Sequence, residues 1–216
     1  MNFAVSYSGG KDSALALYRM ITQGHRPVAM ITTVDYTQDR SWFHGIQSEL
    51  LNKVSESLNI PMIICACKPE EYTESFEDAL KKSKNLGAEA CVFGDIDIEV
   101  HSEWNNARCD VAGLKCILPL WQEEREALVK EFIDCGFKAV IKIVQLKALD
   151  ESFLGKILTY ELIEQIKSTG SDPCGENGEY HTFVYDGPIF SSPVSFSVKG
   201  TVDFVTHRAV DIICLQ

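Results

Sequence analysis

Ser8-Gly9-Gly10-Lys11-Asp12-Ser13 stands directly behind an apolar run, Phe3-Ala4-Val5, and ahead of a helical one, Ala14-Leu15-Ala16-Leu17-Tyr18. Strand, glycine-rich turn and helix start, in that order, build an anion site. Adjacent glycines let the backbone approach the anion closely. The N–H groups of the turn and of the first helical turn then point at it, with the helix dipole behind them. Lys11 adds a mobile positive charge. Asp12 and Ser13 are placed to cap the helix or to reach a phosphate-bound metal ion. The pattern is neither G-x-x-x-x-G-K-[ST] nor G-x-G-x-x-G.

A second concentration of chemistry is Asp172-Pro173-Cys174-Gly175-Glu176-Asn177-Gly178-Glu179-Tyr180-His181-Thr182. From Gly175 to Thr182 it packs two carboxylates, an Asn, a Tyr, a His and a Thr, with glycines that free the backbone to place them. Such density suits gripping a polar substrate. By composition alone it reads equally well as a solvated hairpin loop.

The elements that must position these groups follow from periodicity. Short, near-continuous apolar runs at 3–7, 28–34, 62–66, 90–93 and 116–118 read as parallel strands buried on both faces. Helical patterns fall between them at 13–23, 46–58, 71–86 and 99–112, and glycine follows three of these runs directly, at Gly24, Gly87 and Gly113. The expected fold is α/β: a five-stranded parallel doubly wound sheet, residues 1–121, carrying the nucleotide. Residues 122–216 read as a smaller α+β unit that binds the substrate. It has helices at 123–135, 149–158 and 160–167, a strand at 138–144, and antiparallel strands at 180–185, 194–198 and 203–215. Lys199-Gly200 is expected to supply a hairpin turn.

The chain of 216 residues carries 20 Lys and Arg against 31 Asp and Glu, a net charge of −11. An acidic surface disfavours nucleic acid as a partner. The longest apolar runs fall short of a membrane span, and the N-terminus enters a strand without a secretory pattern. Eight cysteines without a C-x-x-C pair give little support to zinc or dithiol chemistry and fit a reducing cytoplasm.

Residues 8–13 resemble the SGGxDS signature of the PP-loop ATP pyrophosphatases, which cleave ATP to AMP and pyrophosphate. Together with residues 175–182 they are similar to the diphthine–ammonia ligase family of those proteins. Phe43-His44-Gly45, Phe93-Gly94-Asp95-Ile96, Leu118-Pro119-Leu120-Trp121, Gly136-Phe137-Lys138-Ala139 and Asp186-Gly187-Pro188-Ile189-Phe190 agree with that pattern. The resemblance spans nearly the whole chain. Ser102 and Lys156 stand where the family has Arg, and Lys keeps the charge but loses the bidentate fork. The His44-Gly45 and Asn177 forms resemble bacterial members. Bacteria lack the diphthine modification, so amide formation is a firmer expectation than diphthine itself.

The resemblance implies an adenine nucleotide alpha hydrolase-like fold and a two-step reaction. ATP activates a carboxylate as an acyl-adenylate, pyrophosphate leaves, and ammonia attacks to give an amide. ATP and Mg²⁺ are the expected cofactors. The expected partners are ammonium and a carboxylate, on a small molecule or a modified protein residue, and a homodimer is left open. ATP is expected on Ser8, Gly9, Gly10, Lys11, Asp12 and Ser13, with Thr32 and Thr33 near adenine and Gly94 and Asp95 beyond the fourth strand. Asp12 and Asp95 are the metal candidates. Asp12, Glu176 and Glu179 are the catalytic candidates. His44, Gly175, Glu176, Asn177, Gly178, Glu179, Tyr180, His181 and Thr182 are expected to hold the substrate. His101 is undecided between site and helix face. Two other readings stay open: a PP-loop RNA sulfur transferase, and a non-catalytic module that binds an adenine nucleotide.

Overall fold

The computed structural model describes residues 1–215. Its first part runs β1 (Asn2–Ser6), α1 (Lys11–Thr22), β2 (Arg26–Asp35), β3 (Arg40–Ser41), α2 (Ser48–Leu58), β4 (Met62–Cys67), α3 (Tyr72–Asn85), β5 (Ala90–Val92), α4 (Glu99–Ala112) and β6 (Lys115–Ile117). Five strands pair in parallel in the order β4-β2-β1-β5-β6. The two-residue β3 adds to β2 antiparallel at Val34 and Asp35, which makes the sheet six-stranded where sequence suggested five. The chain builds outward from β1 to one side and then returns to build on the other. The order therefore reverses between β1 and β5, and the crevice beyond their carboxyl ends is where such sheets bind ligands.

Side-chain alternation decides the layers. Phe3 and Val5 of β1 face a core shared with α1 and α2, while Ala4 faces α3 and α4. The remaining chain forms α5 (Arg125–Asp134), β7 (Lys138–Gln145), α6 (Tyr160–Ser168), β8 (Tyr180–Asp186), β9 (Phe196–Asp203) and β10 (His207–Cys214). The four strands form an antiparallel sheet in the order β8-β7-β10-β9. Leu128, Phe132, Ile141, Phe183 and Ile163 continue the same apolar core that holds Val5, Leu15 and Leu51. The second sheet thus packs on the α1–α2 face of the first.

Two sequence expectations are corrected. Residues 149–158 form no long helix. Only a 3₁₀ turn, Glu151–Phe153, forms, capped by Asp150, after which Ile157 bridges to Val140 in extended conformation. Nor is Lys199-Gly200 a turn: β9 runs through it. Gly200 pairs with Asp211 and Val198 with Ile212, so Lys199 is the extra residue of a bulge, and the hairpin reverses at 204–206. Among the described residues, no helix is long and apolar enough to cross a membrane.

Candidate functional site

The loop after β1 is braced by its own hydroxyls and by β8. Ser8 Oγ accepts from the Gly10 N–H (3.2 Å), and Ser13 Oγ donates to the Gly10 carbonyl (2.9 Å). The Val184 N–H donates to the Gly9 carbonyl (2.9 Å). Gly9 has φ +85, open to glycine at little cost. Gly10 is small for another reason: a Cβ there would collide with the His44 ring. No side chain of the loop caps α1. Instead the Lys11 N–H donates to Thr182 Oγ1 (3.0 Å), across 171 residues of chain. The amides of Asp12 and Ser13 lie in the first helical turn, where an α-helix offers no internal acceptor, and they are the donors left for a ligand.

Lys11 is buried, and its Nζ donates to both oxygens of Asp12 (3.0 and 2.8 Å). Burial opposes its charge, but the charge and hydrogen bonds of Asp12, together with Cys174 and Tyr180, hold the ammonium pKa well above the ordinary value. The buried Cys174 thiol also points at Asp12 Oδ1 (3.9 Å), and burial pushes its pKa up. It is an unreactive thiol rather than a nucleophile.

A cavity of about 440 Å³ opens beside this loop. Lys11, Asp12 and Ser13 form one wall, and Gly175, Glu176, Tyr180, His181 and Thr182 another. Asp95 and Asn105 contribute from the β5–α4 side. Burial pushes the Glu176 carboxyl up to about 7, with Asp12 adding to the shift and Lys11 opposing it. Burial also raises Asp95, against the Asn105 amide (2.8 Å) and His101 (Nδ1 to Oδ1, 3.2 Å). His44 Nδ1 lies 2.8 Å from the Thr182 carbonyl and so carries the proton of that bond. Burial pushes His44 down to about 4, and burial together with His44 pushes His181 down to about 3. Two neutral imidazoles, 4.9 Å apart, therefore face the cavity.

The far wall is aromatic, and the sequence reading missed it. Tyr72 packs on Phe43 (6.3 Å) and Trp104 (6.0 Å), and Trp104 on Phe76 (5.3 Å). These residues come from three separate elements, so no local pattern announces them. A smaller recess adjoins, lined in part by Tyr7, Thr32, Thr33, Trp42 and Tyr72. Two of these residues carry buried side-chain atoms, Tyr7 Oη and Trp42 Nε1, without a hydrogen-bond partner among the described residues.

The two runs singled out in the sequence thus meet, as do His44, Gly94 and Asp95. His101 lines the cavity as well. Thr32 and Thr33 line the recess instead. Three candidates turn elsewhere. Glu179 accepts from the Asp172 N–H (3.2 Å), the Asn177 N–H (3.1 Å) and Asn177 Nδ2 (3.0 Å), bracing its own loop. Asn177 is exposed and accepts from Arg125. Gly178 closes the turn onto the Gly175 carbonyl (3.1 Å). Neither Ser102 nor Lys156 lines the cavity. Among the described residues no group of three or more His, Cys, Asp or Glu side chains is arranged to hold a metal, and all eight cysteines are free.

The strand order, with a glycine-rich loop ending the central strand, defines a doubly wound α/β protein, and residues 8–13 of that loop carry the signature similar to the PP-loop ATP pyrophosphatases. Residues 1–116 match the family model described as diphthamide synthase N-terminal domain, and residues 124–207 match diphthamide synthase C-terminal domain. The chain belongs to this diphthamide synthase family. It is 28% identical to a protein of Mus musculus named diphthine–ammonia ligase and 27% identical to that of Rattus norvegicus, each alignment covering 97% of this chain and 86% of the relative. The protein of that name from Schizosaccharomyces pombe is 26% identical over 97% of this chain and 38% of its own length. A solved chain described as a predicted subunit of tRNA methyltransferase from Methanocaldococcus jannaschii superposes with a TM-score of 0.47 at 16% identity, covering 90% of this chain and all of that one.

Proposed function

We propose that this chain is an ATP-dependent amide ligase. A carboxylate oxygen attacks the α-phosphorus of ATP and pyrophosphate leaves. Ammonia then attacks the acyl carbon of the resulting adenylate and expels AMP, leaving the amide. One observation carries the reading: the loop at 8–13 and the carboxylate of Glu176 open on the same cavity, and Glu176 is a base matched to neutral pH.

In this reading the Asp12 and Ser13 amides and Lys11 Nζ hold the phosphates. The recess beside Thr32 and Thr33 takes the base of the nucleotide. The acyl group lies between the α-phosphate, Glu176 and His181. Glu176 takes the proton that ammonium must lose before it can attack. Mg²⁺ fits as the counter-ion of the nucleotide, since it binds through one or two carboxylates plus phosphates; Asp12 and Asp95 would hold it, and it would offset the charge of departing pyrophosphate. By kinship with relatives named diphthine–ammonia ligase, the proposed acid is the carboxylate of diphthine and the amine donor is ammonium. We keep residues 1–121 and 122–216 as the nucleotide and substrate halves of this site.

The test is incubation with ATP, Mg²⁺, ammonium and a translation elongation factor bearing diphthine. AMP, pyrophosphate and the amide are expected in equal amounts. ADP and phosphate as products would overturn the mechanism.

A further inference from the structure

Arg125, the first residue of α5, is a residue the ligase reading leaves without a role. Its Nε and Nη2 donate as a fork to Asp97 (2.7 and 2.6 Å), in the connection that follows Asp95. Its Nη1 donates to Asp172 Oδ2 (2.7 Å) and to Asn177 Oδ1 (3.0 Å). One guanidinium thereby joins three segments: the β5–α4 connection, the start of α5 and the loop at 172–179. We infer that Arg125 is a positioning residue that fastens the 172–179 loop to the β5–α4 connection and so holds Glu176 in the cavity opposite Asp12.

The loop is built to transmit this hold. Asp172 Oδ2, the atom that Arg125 grips, also accepts the Glu176 N–H (3.2 Å), and Asp172 Oδ1 accepts the Cys174 N–H (2.8 Å). Glu179 secures the other side through Asp172 and Asn177. Of the loop's three carboxylates, Asp172, Glu176 and Glu179, Glu176 lines the cavity and the other two accept from the loop and from Arg125. Four of the five guanidinium N–H groups go to protein acceptors and Arg125 does not line the cavity, so it acts on the site through the loop and not on a substrate. Bidentate geometry matters here, because a lysine would carry the charge without the fork.

This inference rests on the reading of Glu176 as the base, but its test needs no substrate. The charged groups that act on Glu176 are Lys11 and Asp12 from α1, Asp95 from the β5–α4 connection and Arg125 from α5. Burial is the main reason that the Glu176 carboxyl titrates near 7. If Arg125 holds the loop, its loss lets Glu176 reach water, and the midpoint falls toward the ordinary carboxyl range. If the loop stays in place without Arg125, removing a positive charge leaves the midpoint where it was or moves it up.

The experiment follows Glu176 by NMR of ¹³C-glutamate in the full chain, and amide hydrogen exchange at 174–179. Arg125→Gln and Arg125→Lys are both expected to lower the midpoint by about one pH unit or more. Exchange should quicken about tenfold or more, the scale of lost charge-assisted hydrogen bonds. Asn177→Ala removes one of the Arg125 contacts together with the Asn177 Nδ2 bond to Glu179, leaves the Arg125 bonds to Asp97 and Asp172, and serves if the arginine variants fail to fold; it is expected to shift both readouts the same way, by less. A midpoint unchanged or raised in the arginine variants, or in Asn177→Ala with exchange also unchanged, overturns the inference. Failure of the ligase reading would show separately, as absence of AMP and pyrophosphate from the unaltered protein.

Discussion

Burial lifts the Glu176 carboxyl to about 7 while Glu179, three positions on, spends its oxygens on N–H groups of its own loop. Their substitution by Gln should therefore give opposite results. Glu176→Gln is expected to cut amide formation by about 10²-fold or more, the scale of a lost general base, with binding of a non-hydrolysable ATP analogue nearly intact by calorimetry. Stability should move too. Between about 4.5 and about 7 the folded protein keeps a proton on Glu176 that the unfolded chain has released, so this residue costs stability as pH rises through that window. Glu176→Gln should raise the melting temperature relative to the unaltered protein at pH 8 and leave it nearly equal at pH 4.5. The depressed His44 and His181 act in the other sense, favouring the fold above about 6.5 and losing that contribution as pH falls toward 4 and 3, and they cancel in the comparison. Glu179→Gln puts an amide donor against N–H donors. It should cost about 1–3 kcal/mol of stability in denaturant unfolding, with nucleotide affinity unchanged. Composition presents Glu176 and Glu179 alike. What separates them is which way the turn at Gly175 and Gly178 aims each, and that is tertiary information.

At the level of elements, apolar runs and glycine stops were sufficient for β1, β2, β4, β5 and β6 and for the helices between them, because a strand buried on both faces has few alternatives. They misled where a residue's local meaning had two structural outcomes. Lys199 supplies a bulge in β9 and no turn forms there, and residues 149–158 make a 3₁₀ turn at Glu151–Phe153 and then an extended bridge at Ile157. The aromatic wall was illegible because Phe43, Tyr72 and Trp104 are apart in sequence and adjacent only once α3 and α4 cover one sheet face. Gly94 shows how closely two elements must meet to form the site. A Cβ there would lie 2.7 Å from Asp12 C and 2.7 Å from Ser13 N, both backbone atoms of the first turn of α1. Neither can yield without moving the Asp12 and Ser13 amides that we propose hold the phosphates. Gly94→Ala should weaken binding of the ATP analogue about tenfold or more, given a typical overpacking cost of about 1–3 kcal/mol. Calorimetry reads the affinity, and far-ultraviolet circular dichroism should show the fold retained. Unchanged affinity would mean that α1 can shift without consequence for the nucleotide.

Over the whole molecule, the change of character near residue 121 marks a change of sheet type but not a break in the core. The cluster that begins with Phe3, Val5 and Leu15 continues through Phe132, Ile141 and Phe183 to Ile163 and Val210. Polar ties cross the same boundary: Arg19 to Glu123 and Glu131, Arg40 to Asp211, and Lys11 N–H to Thr182. The first sheet keeps a cluster of its own only against α3 and α4; its other face and the second sheet share one apolar interior, and the loop at 8–13 is braced by β8. Thermal unfolding should therefore be a single transition with equal calorimetric and van't Hoff enthalpies. An ATP analogue with Mg²⁺ at about 100 times its Kd should stabilise that one transition by about 2.7 kcal/mol. Hydrogen exchange should show the added protection in β7 and β8 as well as in β1 and α1, although the proposed phosphate contacts involve only the loop after β1 and the start of α1. Two calorimetric peaks, with only one of them moving when nucleotide is added, would show that the sheets unfold independently. Thr182 and Val184 would then be passive neighbours of the loop, not the supports that keep it shaped for phosphate.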